Sequence, residues 1–185
     1  MIEDIRAKVK AHLKPSRYKH TLGVCKLAVS LAKHYNISQE DAEIAALLHD
    51  YHKYASDEMI LDKLSEYNIE TDPVIRHRVN LAHGLVSAYF AKETYDVGED
   101  IFNAIANHTF GRPGMSMLEK IIYLADSLEE GRDFDGIDKI RDQLFKDIDK
   151  CLLLACQNTL IFELKKSNMV HVQTIQMRNE ILEVR

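Results

Sequence analysis

A chain of 185 residues, 46% hydrophobic and 29% charged, is long enough to enclose one sizeable core, and no shift in composition marks a linker between two. Its net charge of -5 argues against a nonspecific polyanion binder, so no nucleic-acid partner is expected, although local basic patches could still hold a small phosphate ligand. Only seven glycines and three prolines interrupt it, which favours long helices over a strand-rich fold.

The elements follow in chain order. Ile2 to Leu13 reads as a short amphipathic helix that Pro15 ends, and Pro15 with Ser16 opens the next. Residues Arg17 to Tyr35 carry Val24, Leu27, Ala28, Leu31 and Tyr35 on one stripe, with His20 a turn before Val24. Ser38 with Asp41 resembles a capping box, Asp replacing the usual Glu or Gln, and starts a helix from Gln39 to about Tyr51. Its inner face is Ile44, Ala45, Leu47 and Leu48, and His49-Asp50 lies at its C-terminal end. Ser56 and Glu58 open a helix to Tyr67, before a turn at Asp72-Pro73. Val79 to Tyr95 is expected to be helical, with His83 facing the same layer as Val86. Glu99 to His108 puts Ile101, Ala104, Ile105 and His108 on one face, and Gly111 to Gly114 breaks the helix. Ser116 to Glu130 sets Asp126 at the edge of an apolar face. One long helix is expected from Gly136 to Lys166 and a last one from Val170 to Glu183. The fold class is all-α: a single helical domain of 1–185, with a core at about 17–130 and C-terminal helices over 136–183.

Cys25, Cys151 and Cys156 have no CxxC spacing and fall in apolar helical runs, as buried free thiols of a reducing compartment do. The N-terminus is charged throughout and the longest apolar run is far shorter than a membrane span. The expectation is a cytoplasmic protein without signal peptide or membrane helix. The apolar stretch around Cys151 to Phe162 serves either as core or as the face of a homodimer.

What carries chemistry is the ordered set His20, His49-Asp50, His83, His108 and Asp126. Taken singly, each histidine passes for a hydrogen-bonded core residue. A carboxylate on a buried helical face, however, is costly unless it is paired or metallated, and Asp50 and Asp126 both hold such places. Imidazole with carboxylate suits iron, zinc, manganese or cobalt. His20, His49, Asp50 and Asp126 form a first metal centre in this reading; His83 and His108 serve a second metal or the substrate phosphate. His49 and Asp50 are adjacent, so on an ideal helix they diverge by about 100° and share a cation only if it lies between them. His12, His34, His52 and His77 have no comparable context and read as solvated or structural.

The strings LLHDYHKYA, LAHGLVSAYFAKE, NHTFGRPGMSMLEKIIYLADSLEEGRDF and VHVQTIQMRN together resemble the YqeK-type HD-domain phosphohydrolases, the symmetrical bis(5'-nucleosyl)-tetraphosphatases, over almost the whole chain. The resemblance implies an all-helical HD fold and a divalent metal, iron by preference and mono- or dinuclear, with manganese, cobalt or zinc as substitutes. It implies cleavage of a dinucleoside polyphosphate, diadenosine tetraphosphate, into two ADP. It assigns His20, His49, Asp50 and Asp126 as metal ligands, and Asp50, His83 and His108 to catalysis. Arg17, Lys53, Thr109, Arg132 and His171, with His83 and His108, fall at substrate contacts. The family often has Pro after the histidine of the last string, where this chain has Val172. The mechanism expected is attack of a metal-bound hydroxide on a central phosphorus, with Lys53, Arg132 and Arg112 neutralising phosphate and His108 as ligand or acid. Three alternatives stand beside it: another nucleotide substrate at the same metal centre (a nucleoside di- or triphosphate, a guanosine alarmone or a cyclic nucleotide), a mixed-valence di-iron oxygenase, which would need more ligands for a second iron than His83 and His108 provide, and a non-catalytic nucleotide sensor.

Overall fold

The computed structural model describes residues 1–184, and among them every regular element is a helix. Helix α1 (Ile2–His12) buries Ile5 and Val9, one turn apart, and stops short of Pro15, which occupies the first turn of α2 (Pro15–His34), where its missing N–H costs nothing. Helix α3 (Gln39–Leu48) starts at Ser38, whose hydroxyl accepts from Asp41 N at 3.1 Å. It is buried on nearly every side through Ala42, Ile44, Ala45, Ala46, Leu47 and Leu48, as befits a central helix. Helices α1, α2, α7 (Glu99–Asn107) and α8 (Met117–Leu128) pack around it. The small residues let those helices approach closely, and truncating Leu47 or Leu48 to Ala is expected to cost about 2–5 kcal/mol.

Helix α4 (Asp57–Glu66), capped by Ser56, joins α5 (Pro73–His77) and the start of α6 (His83–Tyr95) in a smaller cluster of Ile60, Leu64, Ile75, Ala82 and Val86. Helix α8 opens with a complete capping box between Ser116 and Glu119. Glu119 is buried and also receives Arg112 Nε at 2.7 Å and Nη2 at 2.8 Å. Arg112, expected to neutralise phosphate, is thus committed to closing the Gly111 to Gly114 loop onto α8. Helices α9 (Ile137–Arg141), α10 (Ile148–Lys165) and α11 (Val172–Glu183) complete the chain, α10 packing on both α8 and α11.

Four boundaries depart from expectation. Helix α3 ends at Leu48 rather than Tyr51, and residues 49–54 continue as tight turns, with Tyr51 N to Leu48 O at 3.1 Å and Lys53 N to Asp50 O at 3.0 Å. The N–H of His52 leaves the helix ladder to donate to Ser87 Oγ on α6 at 3.0 Å. Residues Val79–Ala82 form a 3-10 turn before α6 begins at His83. Asp72-Pro73, read as a turn, also starts a five-residue helix, because the Asp72 carboxylate accepts from both Val74 N and Ile75 N. The single helix expected over Gly136 to Lys166 is two, α9 and α10, separated by residues 142–147. Tyr35 Oη donates to the carbonyl of Leu144 at 2.7 Å, and Asp147 caps the new helix through Lys150 N. Cys151 to Leu160 face the core, while Ile161, Phe162 and Leu164 are half or more exposed.

Candidate metal centre

Two groups of ligand-type atoms meet at Asp50, each within 4.8 Å: His20, His49, Asp50 and Asp126, and Asp50, His83 and His108. His49 keeps helical backbone angles at the end of α3, its N–H bonding to Ala45 O at 2.9 Å, and both it and Asp50 are buried. His49 Nε2 lies 3.2 Å from Asp50 Oδ2 and 3.9 Å from Asp126 Oδ1. His20 Nε2 lies 3.0 Å from Asp126 Oδ1 and 3.8 Å from Asp50 Oδ2. On the other side of the same carboxylate, Asp50 Oδ1 is 2.8 Å from His83 Nε2 and 3.8 Å from His108 Nε2. His49, Asp50, His83 and His108 are all at most 3% exposed.

The tautomers follow from the partners of the other ring nitrogen. His49 Nδ1 donates to Ala46 O at 2.6 Å, His83 Nδ1 to Asn80 O at 2.7 Å and His108 Nδ1 to Ile105 O at 2.7 Å. His20 Nδ1 donates to Glu129 Oε1 at 3.1 Å. A carbonyl or carboxylate only accepts, so each Nε2 is left with its lone pair towards the centre. His20 Nε2, His49 Nε2 and Asp50 Oδ1 are close to other polar atoms yet make no hydrogen bond of acceptable geometry. Converging lone pairs on buried nitrogen and oxygen are what a divalent cation resolves, and the donor set fits one.

The electrostatics point the same way. Burial works against the charge on Asp50, but His49, His83 and Lys53 hold its carboxyl well below the usual range. Asp126 is likewise held low against burial by His20 and His49. Burial opposes protonation of His49, and Asp50 with Asp126 outweighs it and raises the group. Burial pushes His108 down to about 3, helped by His49 and His83, which favours the neutral ring.

Cationic side chains flank the carboxylates. Arg17 Nη1 donates to Asp50 Oδ2 at 2.8 Å, and Arg132 holds Asp126 by its side chain at 2.6 Å and its carbonyl at 2.8 Å. Lys53 Nζ sits among the second group, 3.2 Å from His83 Nε2 and 3.5 Å from Asp50 Oδ1. Thr109 Oγ1 is 3.3 Å from His108 Nε2. A cleft of about 370 Å3 opens here, lined by Lys53, His108, Thr109, Asp126, Arg132, Phe134, Asn158 and Phe162 among others, a size that admits a nucleotide. His171 is placed elsewhere. Its Nε2 pairs with Asp72 Oδ2 at 2.6 Å, its ring stacks on Phe110, and its Nδ1 caps α11 through Gln173 N. It lines a small neighbouring cavity and clasps α11 to the start of α5 instead of reaching the ligand groups. Sequence reading did not assign Phe134, Asn158 or Phe162 to the cleft, nor Glu129 to His20; of these Glu129 and Phe134 had a signal, as members of the family string, in its ADSLE and GRDF portions.

Such a centre on an all-helical scaffold is that of an HD-domain protein, and the HD domain profile matches residues 17–131. The symmetrical bis(5'-nucleosyl)-tetraphosphatase of Halalkalibacterium halodurans is 39% identical over 179 residues, covering 94% of this chain and 93% of the relative. That of Bacillus subtilis is 37% identical over 178 residues, covering 96% and 95%. A crystal structure of a predicted HD superfamily hydrolase involved in NAD metabolism from Clostridium acetobutylicum matches with a TM-score of 0.95 at 39% identity, over 100% of this chain and 98% of that one. The chain belongs to the symmetrical bis(5'-nucleosyl)-tetraphosphatase family of HD-domain proteins.

Proposed function

We propose that this protein is a metal-dependent hydrolase that splits diadenosine tetraphosphate symmetrically into two ADP. The observation that carries the reading is a ligand cluster, shared through Asp50, that opens directly onto a cationic cleft of nucleotide size in a chain of this family. His20, His49, Asp50 and Asp126 would hold one first-row divalent cation, for which we propose iron, with manganese, cobalt and zinc as competitors for the same nitrogen and oxygen donors. When bound, such a cation neutralises phosphoryl charge and makes water nucleophilic near neutral pH.

The remaining work falls to the chain itself. Lys53 places an ammonium beside Asp50 and His83, where a second cation would otherwise lie, and this supports a single metal with Lys53 as the fixed positive charge facing the substrate phosphates. Arg132 orients Asp126 and, at the cleft wall, faces the nucleotide half that departs as ADP. Arg17 orients Asp50. Thr109, beside His108, offers a hydroxyl to a phosphate oxygen, and His83 and His108 face the attacking water. A terminal phosphate has its second pKa near about 6, so ADP can leave as an anion without an acid on this chain. Phe134 and Phe162 at the cleft supply apolar ring surface for the adenine. Buried Cys25, Cys151 and Cys156 support a reducing, cytoplasmic setting, and among the described residues no helix is long and apolar enough to cross a membrane. A homodimer would use the exposed Ile161 and Leu164, and sedimentation would give the doubled mass.

The test is anaerobic incubation of iron-loaded protein with diadenosine tetraphosphate, with products separated by ion exchange. Two ADP and nothing else is the expected result. AMP with ATP would overturn the symmetrical reading, and no turnover with iron, manganese, cobalt or zinc would overturn the substrate.

A further inference from the structure

Of the four central histidines, His20 is the one whose orientation is not supplied by its own turn of chain. His49 and His108 stand at the C-terminal caps of α3 and α7, and His83 follows a 3-10 turn, and in each case the carbonyl three residues back accepts from Nδ1, that of Asn80 taking the His83 N–H as well. His20 lies inside α2, where carbonyls are spent on the helix ladder, and that of Arg17 also receives Thr21 Oγ1 at 3.0 Å. Its Nδ1 instead donates to Glu129 Oε1, a partner 109 residues away.

Glu129 has a seat made for it. Its other oxygen, Oε2, accepts from Gly131 N at 2.6 Å. Gly23, one turn after His20 on α2, gives it room: a Cβ there would stand 2.4 Å from Glu129 Oε2. Arg141 fixes the backbone around it, donating to the carbonyls of Leu128 at 2.9 Å, Glu129 at 2.7 Å and Arg132 at 2.9 Å. Glu129 is 4% exposed, and its one ion-pair partner among the described residues is His20. Burying a carboxylate without Lys or Arg beside it is unfavourable for stability alone.

We propose that Glu129 is the positioning residue of the metal centre: it locks His20 as an Nε2 ligand, strengthens that nitrogen as a donor, and is itself seated by Gly23 and Gly131. The inference rests on the metal reading above, and metal affinity reports on it separately from turnover. Outer partners of metal-bound histidines are typically worth about 10–100-fold in affinity. Manganese binding, followed by loss of the free-ion electron paramagnetic signal, should therefore weaken about 10–100-fold in Glu129→Ala. Glu129→Gln, which keeps an acceptor oxygen and loses the charge, should fall between. Gly23→Ala, which leaves Glu129 chemically intact and displaces it, should reproduce most of the loss. In a His20→Ala background, Glu129→Ala should cost less than about 3-fold, since its route of action is gone. Helical circular dichroism of the metal-free variants controls for folding, and if Glu129→Ala does not fold, Glu129→Gln and Gly23→Ala carry the same cycle. Affinity within about 3-fold of the parent in the folded Glu129 and Gly23 variants, or an equal loss with and without His20, overturns the proposal. A parent protein that binds no manganese, iron, cobalt or zinc overturns the metal reading beneath it.

Discussion

The two ligand groups that share Asp50 are built from the same side chains and differ in what stands among them. In the first group, Arg17 and Arg132 donate to the same Asp50 Oδ2 and Asp126 Oδ1 that face the histidines, and His20 Nε2 and His49 Nε2 are left without a hydrogen bond. In the second, His83 and His108 already have an ammonium beside them, that of Lys53. A cluster of histidine and aspartate therefore does not by itself count cations. On the proposed reading, a charge delivered by the chain does in one half what a bound ion would do in the other.

Asp50→Ala should break both halves at once: metal content falls to background, turnover falls about 1000-fold or more, and helical circular dichroism stays largely intact. Metal analysis and initial rates check it, and retained turnover would contradict the shared role. Lys53→Ala separates the halves. Turnover should drop about 100-fold while affinity for the first cation changes by less than about 3-fold, and a second equivalent of metal at high concentration would show the ammonium holding that place. Arg132→Ala should lower kcat/KM about 10-fold, through looser support of Asp126 and a lost phosphate contact. The smallest effect concerns the turn that carries Asp50 and Lys53. His52 packs behind it on Ser87, and burial pushes its ring down to about 4 from 6.5. A depressed histidine leaves stability full above the unfolded value, so metal-free protein should lose roughly 1–3 kcal/mol as pH falls from 6.5 towards 4. Urea unfolding of His52→Gln should show a flatter slope over that range.

How much of this was legible in the sequence depends on how rare the residue type is in its setting. His20, His49, His83 and His108 interrupt apolar helical faces, so periodicity alone exposed them, and Asp50 and Asp126 stood out as carboxylates on the same faces. Glu129 is one of 29 acidic residues and lies where a helix end usually carries solvated charge, so its place in the family string marks it without giving its role, which only the contact with His20 shows. The helical class was readable from the stripes of α2, α7 and α8. The break between α9 and α10 was not: Ile140, Leu144, Ile148 and Cys151 keep the helical period across it, and the interruption depends on Tyr35 reaching the Leu144 carbonyl from another element. The end of α3 at Leu48 is tertiary in the same way, because Ser87 takes the N–H of His52. Cleft residues such as Asn158 and Phe162 carry no local mark, since a side chain on a helix becomes part of a cleft wall only when the opposite wall is known.

The hydrogen bond from His20 to Glu129 spans 109 residues, whereas its three counterparts span three. The other histidines are oriented as soon as their own turns form, but His20 waits for α8 to dock against α2, one of the slow, long-range closures of folding. On the proposed ligand assignment, a complete metal site would exist only once α8 and α2 have met. An ion that binds only the docked state favours it by mass action, by about 4 kcal/mol at a thousandfold excess over its dissociation constant. The metal then completes the domain as well as its chemistry.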